Sequence, residues 1–105
     1  MRAPVIRISI GRFDAGLADQ IEGKLLASRD KLEPGVRALS GNLGYFVGLD
    51  RVNNAMHNVS IWETVADAGQ MAGFEPMMKL GEEFVEMGVR FERPILNFVT
   101  LWQFD

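Results

Sequence analysis

The stretch from Ile95 to Phe104 (ILNFVTLWQF) alternates like a strand, yet both of its phases are apolar. Leu96, Phe98, Trp102 and Phe104 fall on one side of an extended chain, and Ile95, Val99 and Leu101 on the other. Met56 to Trp62 (MHNVSIW) repeats the pattern, with Val59 and Ile61 on one side and Met56 and Trp62 on the other. An antiparallel sheet with one face in water alternates apolar with polar. Strands like these need cover on both faces. A single layer of helices supplies one. A lone copy would then expose a large apolar patch, which soluble monomers rarely carry. The simplest second layer is an identical subunit meeting the first sheet to sheet.

The rest of the chain supplies the helical layer. Val5 to Arg12 (VIRISIGR) is a period-2 strand, with Ile6, Ile8 and Ile10 on one face and Val5, Arg7 and Ser9 on the other. Asp14 offers an N-cap oxygen, and Leu17, Ile21, Leu25, Ser28 and Leu32 form one helical stripe. Pro34-Gly35 is expected to end that helix. Gly41 to Gly44 reads as a loop, Tyr45 to Val52 as a second strand and Asn53-Asn54 as a turn into a third, Met56 to Trp62. Thr64-Val65-Ala66-Asp67 resembles a capping box, so a helix should start just after Trp62-Glu63. Pro76 either kinks that helix or opens a second segment, in which Met77, Leu80, Phe84 and Met87 share a face before Gly88. The last strand is expected over Ile95 to Phe104. The order β-α-β-β-α-β is the ferredoxin-like α+β arrangement: a four-stranded antiparallel sheet with both helices on one face.

Composition narrows the chemistry. One domain over residues 1–105 suits the length. The absence of Cys excludes disulfides and thiolate sites, and one His excludes a multi-histidine metal site within a chain. A net charge of −3 argues against nucleic acid as main partner. No run approaches the ~18 apolar residues of a membrane helix. Arg7 interrupts any apolar signal core, so a cytoplasmic protein is the default expectation.

The element order, Pro34-Gly35-Val36, Ser60-Ile61-Trp62-Glu63-Thr64, Phe74 and the aromatic last strand resemble the dimeric α+β barrels, and within them the antibiotic-biosynthesis-monooxygenase-like domains. The resemblance covers nearly the whole chain. It implies a homodimer through the sheet face, with a cavity under each sheet for a small apolar or aromatic ligand. Members include oxygenases that act on polyketide-type phenols without metal or flavin, and haem-degrading enzymes. The oxygenases place an Asn and a Trp four residues apart on the third strand, and Asn58 and Trp62 match that spacing. They also carry a Tyr early in the second helix. The matching stretch 65–70 has none, and the only tyrosine, Tyr45, falls on the second strand. The iron-ligating His of the haem-degrading members is missing, which speaks against haem.

By the resemblance, Asn58 and Trp62 are the candidate catalytic pair, with no metal or cofactor; the needs of an anion-binding cavity add Arg7, Ser9, Tyr45 and Ser60 as candidate substrate contacts. Period-2 alternation puts Asn58, Ser60 and Trp62 on one face, the barrel side provided Val59 and Ile61 point to the helices. Asn58 can donate an amide N–H to a substrate anion, Trp62 an indole N–H and a stacking wall, and Arg7 can hold an anionic oxygen. Each has a plainer reading beside this one. Trp62 can be packing alone, Asn58 can satisfy a buried backbone group, and a strand arginine commonly points to solvent. Met71, Met77, Met78 and Met87 read as core filler, and Glu82, Glu83 and Glu86 as a solvated helix face. A non-catalytic, ligand-binding or accessory dimer therefore stands as the alternative. A proton-shuttling isomerase using His57 or Glu63 is a third possibility.

Overall fold

The computed structural model describes residues 3–105. Strand β1 (Val5–Arg12) leads through a short 3-10 turn into helix α1 (Ala18–Ala38). Strands β2 (Asn42–Asp50) and β3 (Ala55–Trp62) form a hairpin. Helix α2 (Val65–Gly69), a second 3-10 turn and helix α3 (Glu75–Met87) follow, and strands β4 (Arg90–Phe91) and β5 (Leu96–Val99) close the chain. The sheet is antiparallel in the order β2-β3-β1-β4, with β5 also pairing β1. This is the ferredoxin-like α+β fold. Among the described residues no helix is long and apolar enough to cross a membrane.

Several local signals act where the sequence puts them. Thr64 caps α2, its side chain accepting from the Asp67 backbone N–H at 3.0 Å. Pro76 sits in the first turn of α3, where its missing N–H has no partner to lose. Gly88 ends α3 at φ 111°, a left-handed conformation that a Cβ would strain. The hairpin turn is closed by Asp50, whose carboxylate accepts from the Val52 and Asn53 backbone N–H groups.

Others are overridden. Asp14 makes no side-chain cap; its carboxylate lies 3.5 Å from Arg90, and only its carbonyl accepts, from Leu17 N–H. Helix α1 does not stop at Pro34-Gly35 but runs to Ala38. Burial of Val36, and Glu33 bonding both Arg29 and Arg37 across the proline, hold the extra turn. Gly35 is needed there for space: a Cβ would lie 2.6 Å from the Phe74 ring. The second strand starts at Asn42, with an irregularity between Asn42 and Gly44, and ends at Asp50. The last strand is short. Its register runs from Leu96 opposite Ile8 to Val99 opposite Val5, and Thr100 N–H bonds Pro4. Beyond that bond, residues 101–105 belong to no strand. The Arg90–Phe91 strand fills the same sheet edge opposite Gly11 and Arg12 and was not foreseen.

The largest correction concerns the faces of the sheet. Trp62 and Ser60 are fully buried, and Trp62 packs with Val5, Ala68 and Met71 on the side that carries the helices. Val59 and Ile61 point away from the helices. The uncovered face carries Ile6, Ile8 and Ile10, their partners Ile61, Val59 and His57, and the exposed side chains of Phe46, Leu96 and Phe98. Asn58, Ser60 and Trp62 therefore face the helical layer, not the uncovered side. Apolarity alone could not assign the faces, because both rows have it.

Candidate functional site

Two apolar clusters fix the helices to the sheet. One gathers Phe13, Ala18, Ile21, Met56, Phe84 and Val89; the other gathers Val5, Trp62, Ala68 and Met71. Between them the helix-facing rows turn polar: Arg7 and Ser9 on β1, Ser60 and Asn58 on β3, paired in register. There the helices α1 and α3 stand off the sheet and leave a half-open cleft of about 1440 Å³. Its walls are mainly apolar, from residues such as Leu25 and Leu32 of α1, Val47 and Leu49 of β2, and Met77 and Leu80 of α3.

Arg7, Ser9, Tyr45 and Asn58 all line this cleft. Tyr45 reaches it from β2, opposite Ser60 in the ladder. Its phenol accepts a short hydrogen bond from Asn58 Nδ2 and donates to Met77 Sδ at 3.9 Å. Asn58 Oδ1 is shielded from water and has no hydrogen-bond partner. Rotating the amide by half a turn would leave Nδ2 in that position instead, so one polar end of Asn58 stays unpartnered either way. An orphaned buried polar atom costs about 1–3 kcal/mol, which a ligand able to reach it would recover.

Ser60 and Trp62 do not line the cleft. The Trp62 indole Nε1 donates to Ser60 Oγ at 2.8 Å in the core, so each satisfies the other. The Asn-x-x-x-Trp spacing thus places one residue on the cleft wall and the other inside the packing. His57 faces the uncovered side, opposite Ile10 and Gly48. Of the methionines, Met71 is core, whereas Met78 is exposed at the cleft. Among the described residues no cluster of His, Asp and Glu could hold a metal ion.

Electrostatics distinguish the cleft. Burial pushes the Tyr45 phenol above its ordinary value of 10.0, against the pull of the Asn58 hydrogen bond and the Arg7 charge. Tyr45 is therefore a neutral phenol at physiological pH, a donor and acceptor and not a base. Burial also lowers the Arg7 pKa, partly offset by Tyr45 and reinforced by the like charge of Arg93. Arg93 lines the cleft as well, its guanidinium 5.2 Å from the Phe91 ring centroid. The sequence reading missed Arg93. It lies in the connection between β4 and β5, where neither periodicity nor a motif marks it; only the fold brings it back to Arg7.

No protein-family model matches the chain, and no curated protein matches it in sequence. Solved structures match in fold. A candidate antibiotic biosynthesis monooxygenase from Deinococcus radiodurans superposes with a TM-score of 0.72 at 14% identity, covering 96% of this chain and 96% of that one. One from Nitrosomonas europaea gives 0.70 at 9% identity over 97% and 94%. A protein from Pseudomonas aeruginosa gives 0.64 at 20% identity over 100% and 98%. The chain is thus similar in fold, nearly end to end, to antibiotic-biosynthesis-monooxygenase-like structures.

Proposed function

We propose that this chain is a cofactor-independent, monooxygenase-like oxidoreductase whose cleft takes a small aromatic or quinol substrate. The observation that carries the reading is the Asn58–Tyr45 couple on the cleft wall, with one end of the Asn58 amide left without a partner. The Tyr45 hydroxyl, fixed by Asn58 Nδ2, supplies a donor to the substrate oxygen, a small turn of the Asn58 amide brings its unpartnered end to the same oxygen, and Arg7 adds fixed positive charge as the substrate becomes an anion. The substrate proton leaves through the half-open mouth of the cleft. The electron-rich anion then reacts with dioxygen. For an anthrone-type substrate the methylene carbon loses two hydrogens and gains one oxygen as a carbonyl; the second oxygen leaves with those hydrogens as water. The apolar walls limit competing water around the reacting carbon.

The working unit of this reading is a homodimer. The uncovered sheet face is apolar from Phe46 across to Phe98, and a second copy is the simplest cover for it. The cleft lies on the opposite, helix-covered face, so both sites of the dimer remain open.

The test is oxygen consumption with a panel of phenols, anthrones and quinols. Turnover that falls by at least about tenfold in Asn58→Ala, with the fold intact, supports the proposal. Turnover indifferent to Asn58→Ala, or no consumption with any of the panel, refutes it. A second reading, a dimer that binds such ligands without turning them over, is favoured by one observation: the Trp62 indole N–H is already engaged by Ser60. Tight binding without oxygen uptake would select it.

A further inference from the structure

Five of the arginines described have a carboxylate within ion-pair distance: Arg12 with Glu92, Arg29 and Arg37 with Glu33, Arg51 with Asp19 and Glu22, and Arg90 with Asp14. Among the described residues Arg7 and Arg93 have none, and both line the cleft. Arg7 is moreover on β1, an interior strand of the sheet, half-buried on the side the helices cover. Its backbone is held in the ladder opposite Ser60 and Asn97, but its guanidinium makes no hydrogen bond to any described residue. Arg93 donates only to the carbonyl of Glu92, at 2.9 Å.

A partly buried charge is costly unless it is paired. Here two like charges converge on one cavity with no protein anion between them. Glu22, Glu33, Glu82 and Glu86 also line the cleft, but Glu22 pairs Arg51, Glu33 pairs Arg29 and Arg37, and none of the four is within ion-pair distance of Arg7 or Arg93. The pair is complete only when an anion enters. A guanidinium presents a planar fork of donors that fits a carboxylate with two parallel hydrogen bonds. Most of the remaining wall is apolar, with Leu25, Leu32, Met77 and Leu80 opposite Val47 and Leu49, and suits an aromatic ring better than a strongly hydrated body.

We infer that the cleft recognises an aromatic carboxylic acid, its carboxylate held between Arg7 and Arg93 and its ring laid along the apolar wall. This rests on the cleft being the ligand site and narrows its substrate class. The anion is a permanent substituent, present in the ground state, and not only the phenolate that develops during reaction. Tyr45, neutral and beside Arg7, adds a hydroxyl donor to the same end of the cavity.

The experiment compares 2-naphthoate with its neutral isostere 2-naphthamide by isothermal titration calorimetry. The two share one apolar body, so their difference reports the charge. The acid is expected to bind at least about tenfold more tightly, the scale of one charge-assisted hydrogen bond. Arg7→Met and Arg93→Gln should each erase most of that preference and leave the amide affinity within about twofold. Arg93 is exposed, so its variant carries the test even where Arg7→Met fails to fold. Equal affinities in the native protein, or a preference that survives Arg93→Gln and Arg7→Met, overturn the inference and leave the cleft reading standing. Failure of both compounds to bind at millimolar concentration overturns both.

Discussion

Trp62 and Ser60 decide whether the matched Asn-Trp spacing is chemistry or packing, and a double-mutant cycle separates the two. Both side chains are fully buried, and the indole Nε1 has its acceptor in Ser60 Oγ at 2.8 Å. Ser60→Ala removes that acceptor and leaves a buried N–H with no partner. The cost is about 1–3 kcal/mol. For a chain of this length that lowers Tm by roughly 5–15 °C. Trp62→Phe shrinks the ring and orphans the Ser60 hydroxyl, for a further loss of about 1–3 kcal/mol from lost packing. The informative variant is the pair. With phenylalanine at position 62 there is no N–H to orphan, so Ser60→Ala becomes nearly neutral in that background. The expected coupling is about 1–2 kcal/mol. Urea unfolding followed by far-ultraviolet circular dichroism measures it, at one protein concentration so that any self-association contributes equally to every variant. Ligand binding in the cleft should stay unchanged in Ser60→Ala, because neither residue lines it. A Ser60→Ala variant within about 0.5 kcal/mol of the parent would refute the packing argument. So would a loss of turnover in Trp62→Phe with stability intact, and it would return Trp62 to the chemistry.

Two further outcomes follow from the same geometry. Burial raises the Tyr45 pKa, so its neutral form is the one the fold favours. That contribution is fully present below 10.0, the ordinary value, and is lost as pH rises through the higher folded value. Urea midpoints should therefore fall from about pH 9 to about pH 11, and Tyr45→Phe should lessen the fall; an equal fall in both proteins would reject the assignment. Phenolate absorbance reads this one group directly, since the chain has a single tyrosine. On the opposite face, Phe46→Glu places a charge on the β2 side of the apolar surface, where a second copy is proposed to sit. Sedimentation at about 10 μM should change from dimer to monomer with the circular dichroism preserved, whereas a parent protein that already sediments as a monomer would exclude the pairing.

What was legible in the sequence was what local chemistry decides. Thr64, Pro76, Gly88 and Asp50 each satisfy or remove a backbone group within a few residues, so no tertiary knowledge was needed. Pro34 was misread because its effect is set at long range: Val36 finds a buried place, and Gly35 lets the Phe74 ring come close. The last strand is shorter than its alternation suggests because its length is set by its pairing with Val5–Ile8 of β1, a long-range partner that its own residues do not reveal. The faces were undecided by apolarity, yet a signal was present. Gly11 is opposite Met56, and a Cβ there would lie 2.7 Å from Val89 in the connection between α3 and β4, so the small residue marks the face on which that connection packs. Arg93 carried no signal, since only the return of the chain past β4 brings it to the cleft.

The cleft is a gap left by the order of residues along two strands. On the helix-facing side β1 reads Val5, Arg7, Ser9, Gly11, and its partner β3 reads Trp62, Ser60, Asn58, Met56. Each row is apolar or small at its ends and polar in the middle. The ends anchor the two clusters, Trp62 with Ala68 and Met71 at one and Met56 with Phe84 and Val89 at the other. Four residues of strand span roughly 13 Å, so Asn58 and Trp62 share a face but not a neighbourhood. The polar middle cannot be packed by leucine or methionine without orphaning Arg7 and Asn58, and it is there that the helices stand away from the sheet. Under the proposed reading, a ligand in that gap would complete a core that the chain leaves unfinished. Binding there would raise resistance to unfolding by mass action, and the proposed recognition residues, Arg7 and Asn58, are those that interrupt the apolar rows.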